Sequence, residues 1–334
     1  MPVRKRPSSE DVAKNAGVSR ATVSAYLNGT KYVSPELGRR IEKAIKKLNY
    51  FPDPLARALK MKDARTIGLI IPVMSGFFTP LMKALNDIAY RKGYGFLVCS
   101  SEEDEARERE ELEMLFAKRI SGILIAPCST QNEGLIRRIM ESGTPVVQVN
   151  RRIDGLATDS IISDSFGAAY RATEHLIRNN RRRIALLGHD SRTLAGNQKR
   201  LGFEKALADN GVSNAIVVPV REHDENEIRA SFIRTLESGQ AIDGLICTTQ
   251  GKTVIALEIL RERSLRMPED IAVVGFDDSP WSSLLGTPLT VISENTKEMG
   301  ERAAQLLLDR IEKRETGPAK RIVLEDEFII RRST

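Results

Sequence analysis

The sequence predicts a chain of two fold classes: an all-α helix-turn-helix head with a short linker helix behind it, then an α/β bilobed body built on two doubly wound parallel sheets. Three observations carry this expectation. Two short helical patterns joined by a Gly-bearing turn occupy the segment from Ser8 to Gly29. From residue 66 onward, near-continuous apolar runs of four to seven residues alternate with amphipathic helical segments, the pattern of strands buried on both faces. The charge divides at the same place: residues 1–62 hold 14 Lys and Arg against 5 Asp and Glu, and the remaining 272 hold 37 against 40.

Ser8 is placed to cap a first helix, with Asp11 three residues on as a short-armed capping box, and Val12, Ala13 and Ala16 form its apolar stripe. Gly17 supplies the positive φ of a tight turn. Ser19 then caps a second helix that runs through Ala21, Val23 and Leu27 to Asn28 and Gly29. Ser34 and Pro35 start a third, whose Leu37, Ile41, Ala44, Ile45 and Leu48 recur at helical spacing and close a small core. So basic a helical unit suits a phosphate backbone; the plainer reading is a solvated basic cap that binds nothing. Pro52 and Pro54 bar helix through the next segment and leave Leu55–Leu59 room for one short helix, marginal in water by itself.

In the body, the runs TIGLIIP, GFLVCS, ISGILIAP and PVVQVN, each followed by a helical segment, make a first series. After a break near 155–163, RIALLG, AIVVPV, DGLICT and IAVVGFD make a second. A last helix over 297–313 and two late strand-like runs, RIVLE and EFIIRR, are free to return to different halves, which makes two lobes with a hinge between them. The expected division is 1–49 for the head, 50–63 for the linker, 64–161 with 294–319 for the first lobe, and 162–293 with 320–334 for the second.

At 334 residues with 41% hydrophobic content the chain has room for two or three domains, and no apolar run approaches the ~18–20 residues that span a bilayer. The basic N-terminal residues have no apolar segment behind them, so neither a membrane nor a secretory route is expected, and the location is cytoplasmic. Cys99, Cys128 and Cys247 end strand-like runs without metal-ligand or CxxC spacing and read as reduced thiols. No cofactor is implied. Gly251-Lys252-Thr253 echoes the end of a phosphate-binding loop, but the glycine needed five residues earlier is Ile246. His175, His189 and His223 show no catalytic or metal spacing.

Ligands of parallel α/β sheets sit beyond the carboxyl ends of the strands, so those residues are the candidates. After the first strand come Ser75, Gly76, Phe77 and Phe78, one aromatic ring to stack on a ligand and the other to join the core. After PVVQV come Asn150 and Arg151, whose planar fork suits a carboxylate or hydroxyl pair. After IAVVGF come Asp277, Asp278 and Trp281; for Asp278 a capping or lobe-bridging role is favoured over ligand contact.

The stretch AGVSRATVSAYLNG, followed by NYFPDPLARAL and later by VVQVNRR, SDSFGAA, VVGFDDSPW and TPLTVI, resembles the lac repressor family of bacterial transcription regulators over essentially the whole chain. The resemblance implies a periplasmic-binding-protein-like type I body and a ligand-gated repressor. Its head grips double-stranded DNA as a homodimer on a pseudo-palindromic operator. It implies that Arg20 and Ala21 read bases, that Thr22, Ser24 and Asn28 contact phosphate, and that Ser8, Ser19 and Tyr32 complete the DNA-facing set. Where the family has an arginine one turn later stands Ala25, with Tyr26 beside it as the substitute reader. The short linker becomes the hinge helix, with Leu59 as the minor-groove wedge, Ala56 on the groove floor and Arg57 near phosphate. For the effector the resemblance adds Ser129, Asp277 against ligand hydroxyls, and two departures: Thr249 and Gln250 replace an Asn-Asp pair, and Lys199 replaces an arginine. Losing an acid while keeping bases tilts the expected effector from a plain sugar towards a sugar acid or sugar phosphate. A rival reading, a sugar-binding receptor or sugar-modifying enzyme with the same body, leaves the head unexplained. No leucine heptad follows EFIIRRST, so a dimer is expected rather than a tetramer.

Overall fold

The computed structural model describes residues 7–28, 31–50, 65–189, 193–213, 215–220, 224–239 and 241–334. The chain separates into two compact units, Met1–Ala64 and Arg65–Thr334. The hinge segment, with Ala56, Arg57 and Leu59, lies outside the described residues.

The first unit holds α1 (Ser9–Ala16), α2 (Arg20–Asn28) and α3 (Pro35–Leu48). Ser8 and Asp11 form a reciprocal capping box, the Ser8 hydroxyl accepting from the Asp11 N–H and the Asp11 carboxylate accepting from the Ser8 N–H at 2.8 Å. Two orphan donors are thereby satisfied at the first turn. Gly17 ends α1 at φ 67°, a left-handed conformation that a side chain would strain, and an added Cβ would strike the Arg40 guanidinium. Val12, Ala13, Ala16, Val23, Ile41 and Ala44 are the buried centre, with Val18, Leu27, Ile45 and Leu48 packed around it.

The second unit is two six-stranded sheets, each covered by helices on both faces. The first runs, in spatial order, β11 (Arg321–Leu324), β5 (Asp159–Ser163), β4 (Val146–Val149), β3 (Gly122–Ile125), β1 (Thr66–Ile71), β2 (Gly95–Ser100). The second runs β12 (Glu327–Ile329), β10 (Thr290–Ser293), β9 (Ala272–Phe276), β8 (Gly244–Cys247), β6 (Ile184–His189), β7 (Ile216–Pro219). Every pairing is parallel except β12 on β10. Parallel strands need crossover helices. In the first lobe these are α4 (Phe78–Arg91), α5 (Glu105–Ala117) and α6 (Glu133–Glu141); in the second, α7 (Ser165–Arg178), α8 (Leu194–Asp209), α9 (Glu225–Glu237) and α10 (Gln250–Glu262). The last, α11 (Thr296–Ile311), returns to the first lobe, where Gly300 lets it close on the Leu81 backbone: an added Cβ there would lie 2.6 Å from the Leu81 carbonyl oxygen. Among the described residues no helix is long and apolar enough to cross a membrane.

Two expectations about the lobes are corrected. The segment near 155–163 is not merely a break, because it contains β5; its DSIIS sequence hides Asp159 in a bidentate pair with Arg310 at 2.7 and 2.8 Å, which lets a charged residue begin a fully buried strand. The boundary expected at 161 therefore falls inside a strand. Residues 320 onward do not all belong to the second lobe, since β11 pairs with β5 from Arg321↔Ser160 to Leu324↔Ser163. The physical reason is reach: α11 lies on the first sheet, the connection after it is short, and the open edge of β5 is the nearest partner. The chain thus crosses between lobes three times, after β5, after β10 and after β11.

Candidate functional site

In the head, Ser19 caps α2 by accepting from the Thr22 N–H at 3.1 Å, and its hydroxyl meets that of Thr22 at 2.8 Å. Arg20 and Ala21 stand exposed on the first turn, and Arg20 Nε donates to Ser9 Oγ at 3.2 Å, which steadies the guanidinium. Ser24 and Ala25 are half-buried, and Tyr32 is 88% exposed. Arg39, Lys43, Lys46 and Lys47 line the outside of α3. Tyr26 does not fit the part of a base reader. Its ring packs on Gly38 of α3, 3.0 Å from where a Cβ would stand, and burial followed by the neighbouring Glu42 carboxylate holds its phenol above the usual range. The side chain points into the head because its helix position continues the apolar stripe of Val23.

In the body, strand ends from both lobes meet around a cavity of about 410 Å³, within the size range of small-molecule sites. The first lobe contributes Ser75, Phe77, Phe78, Asn150 and Arg151; the second contributes Lys199, Thr249, Gln250 and Asp277. The aromatic pair divides its work. Phe78 is 3% exposed in the first-lobe core, while Phe77 is half-buried at the cavity wall, edge-to-face on it at 4.9 Å. Asn150 and Asp277 follow β4 and β9 in the left-handed region, φ 63° and 71°, a conformation short polar side chains tolerate. That turn places each of them at its sheet's carboxyl end. The Asp277 carboxylate accepts from the Gln250 N–H at 3.3 Å, and the Thr249 hydroxyl is spent capping α10 through the Lys252 N–H at 3.4 Å. Gln250 reaches across the cleft, its Oε1 3.3 Å from where a Cβ on Gly76 would stand.

Both bases of the cleft have carboxylate partners. Arg151 donates from its two terminal nitrogens to the two oxygens of Glu103, at 3.0 and 2.7 Å, with side chains 11% and 5% exposed. Lys199 lies 3.4 Å from Glu294, donates to the Thr248 carbonyl at 3.0 Å and sits 4.0 Å above the Phe276 ring centre. Glu294 in turn accepts from Ser163 at 2.9 Å and Asn150 at 3.2 Å, so one carboxylate ties the ends of β4, β5 and β10 to α8. Behind it lies Asp326, on the third crossover. Its carboxyl oxygens are buried beside Ser163, and its pKa is pushed up to about 8, first by burial and then by Glu294, with Lys199 and the Ser163 hydroxyl opposing.

Two expected effector residues lie elsewhere. Trp281 packs with Leu285 and Met267 against the second-lobe core, because the short 3-10 turn Pro280–Ser283 directs it back onto the domain. Ser129 lines a smaller adjoining cavity of about 210 Å³, and its hydroxyl accepts from the Gln131 N–H at 3.1 Å. Asp278 forms a bidentate pair with Arg331 at 2.8 and 2.7 Å, an ion pair inside the second lobe and not a bridge between lobes. Sequence reasoning missed Glu103, Thr248, Glu225, Glu258 and Glu294. Thr248 and Glu294 follow strand ends and were within reach of the rule that found Asp277; Glu225 and Glu258 face the cavity from helices, and no short-range pattern marks them.

Residues 10–53 match the lacI family of bacterial regulatory proteins, and residues 173–334 match the periplasmic binding protein-like domain. The HTH-type transcriptional repressor PurR of Aliivibrio fischeri (strain MJ11) is 33% identical over 308 residues, covering 90% of this chain and 91% of that protein. PurR of Haemophilus influenzae (strain PittEE) is 30% identical over 328 residues, 97% of each. Among solved structures, a CelR–cellobiose complex superposes with a TM-score of 0.73 at 27% identity, covering 98% of this chain and 100% of that one. A lac repressor bound to ONPG superposes with a TM-score of 0.85 at 24% identity over 99% and 100%, which speaks for the fold. With a capped helix-turn-helix head, a two-lobed body and relatives aligned along nearly their whole length, the chain belongs to the lacI family of bacterial regulatory proteins: a DNA-binding transcriptional repressor with a ligand-binding effector domain.

Proposed function

We propose that the protein binds a pseudo-palindromic operator as a homodimer, and that a small hydroxyl-bearing effector of the sugar type, held between the lobes of the body, changes the operator affinity. The observation that carries this reading is the cavity itself. It lies where the carboxyl ends of two parallel sheets face one another, with an aromatic wall at Phe77 and acceptors and donors at Asp277, Gln250, Asn150 and Ser75. A sugar presents that combination in reverse, an apolar ring face bordered by hydroxyls. The cellobiose held by the CelR structure supports the same ligand class.

On DNA, Arg20 is the side chain for a guanine edge, Ala21 for an adjacent apolar contact, and Thr22, Ser24, Asn28 and the bases of α3 for phosphate. One small head buries too little surface to hold a duplex, so two copies bind half-sites related by the dimer axis. Leu59, Ala56 and Arg57 serve at the minor groove between them.

The test is selection of duplex fragments from random DNA by the full chain, followed by footprinting and sedimentation of the complex. Two protected half-sites with two chains per duplex are expected. A single protected half-site occupied by one chain overturns the dimeric grip.

A further inference from the structure

We infer that Glu103 and Glu294 are specificity-determining residues of the cleft: each occupies one of its two bases, so the site takes a hydroxyl-rich ligand without negative charge and turns away carboxylates and phosphates. This rests on the reading of the cleft as the effector site and names the ligand's charge class. It reverses the expectation drawn from the sequence, where Arg151 and Lys199 were bases with no visible partner.

Glu103 is held in place by backbone that few residues adopt. Glu102 and Glu103 have φ 51° and 57°, consecutive left-handed residues without a glycine, and the Glu103 N–H is bonded to the Pro72 carbonyl at 3.0 Å. That turn aims the carboxylate at Arg151, engages one N–H of each outer nitrogen and offsets the guanidinium charge. Lys199 has three partners for its three N–H groups: Glu294, the Thr248 carbonyl and the face of Phe276. Glu294 cannot swing away cheaply, because Ser163 and Asn150 both donate to it. An incoming anion would have to break one of these buried pairs and then sit against Asp277, with the exposed Glu225 and the Arg229-paired Glu258 also lining the cavity. Carboxylates that line one cavity repel an added anion. Hydroxyl groups meet no such barrier. Asp277 accepts from them, Gln250 and Asn150 do either, and Phe77 offers a ring face.

Inorganic phosphate is the probe, titrated by calorimetry into the full-length protein and into the variants Glu103→Gln and Glu294→Gln, each checked for fold by near-ultraviolet circular dichroism. The wild type is expected to show no saturable phosphate site at millimolar concentration. At least one folded variant is expected to gain about tenfold or more in phosphate affinity as its base is released, and to lose that gain when Arg151→Ala or Lys199→Ala is added. Saturable phosphate binding by the wild type that Arg151→Ala abolishes overturns the inference, as does the absence of any gain in the folded variants. A parallel thermal-shift panel of neutral sugars and amino sugars, read against Phe77→Ala, reports on the cleft itself. If none of these binds in a Phe77-dependent way the effector reading falls, while the phosphate titrations still decide the charge rule.

Discussion

On the head, Arg39, Lys43, Lys46 and Lys47 stand exposed along α3, and among the described residues that unit makes one ion pair, Lys14 with Glu10 at 3.6 Å. In the cleft, Arg151 and Lys199 are each buried against a carboxylate. The difference teaches how one chain separates two kinds of recognition. A base that meets a polyanion arriving from solvent is useful only if left open, because its binding energy comes from replacing the duplex's counterions. A base inside a narrow cavity costs too much desolvation to stand alone, so it is paired before any ligand arrives. The head therefore attracts by charge, and the cleft selects by shape and hydroxyl pattern.

The sharpest way to break that comparison is salt. Raising monovalent salt from about 50 to about 200 mM is expected to weaken operator binding by roughly a thousandfold, given six to ten phosphate contacts across a dimer. Effector binding measured by calorimetry over the same range is expected to change little. Comparable salt slopes for the two events would erase the distinction.

Next in size is the pH response of the body. Asp326 has a folded pKa of about 8, against about 3.9 in an unfolded chain. A carboxyl whose folded pKa is raised contributes stability while protonated, fully present below the unfolded value and lost as pH rises through the folded one. The body's melting temperature should therefore fall between about pH 4 and 8 and level off above, with Asp326→Asn flattening the profile. Equal pH profiles for wild type and variant in scanning calorimetry would remove Asp326 from the account.

Smaller effects sharpen the head's side. Replacing Arg20 by Ala should relax preference at one operator position by ~1–3 kcal/mol and leave the other positions untouched, read from a base-substituted operator series. A uniform loss across the series would make Arg20 a phosphate contact instead. Ser8→Ala removes the capping box of α1 and should cost ~1 kcal/mol of head stability in a denaturant titration; its effect on effector binding should be nil.

The head and the alternation of strands and helices were legible because both are written locally: capping residues, Gly17, and apolar runs of strand length. β5 was not, because its DSIIS run looks like a turn until Arg310, 151 residues later, covers Asp159. The home of β11 was hidden for a similar reason, since four residues of alternating burial name no partner and only the position of α11 chooses one. In the cleft, the strand-end rule found Phe77, Asn150, Arg151 and Asp277. It did not reveal that Arg151 was already engaged, because Glu103 lies 48 residues away on a turn whose left-handed backbone no sequence pattern announces. Trp281 misled because nearness in sequence to Asp277 was taken for nearness to the cavity.

The central claim is that the occupied cleft and the gripped operator govern one another. It is tested most directly by a thermodynamic cycle on the full chain: operator affinity by fluorescence anisotropy with and without a cleft ligand, and that ligand's affinity by calorimetry with and without operator. The two ratios are expected to agree, with a coupling of about 1–3 kcal/mol, roughly 5- to 150-fold, and both should vanish in Phe77→Ala. A ligand that saturates the cleft in a Phe77-dependent manner while operator affinity stays unchanged would contradict the account.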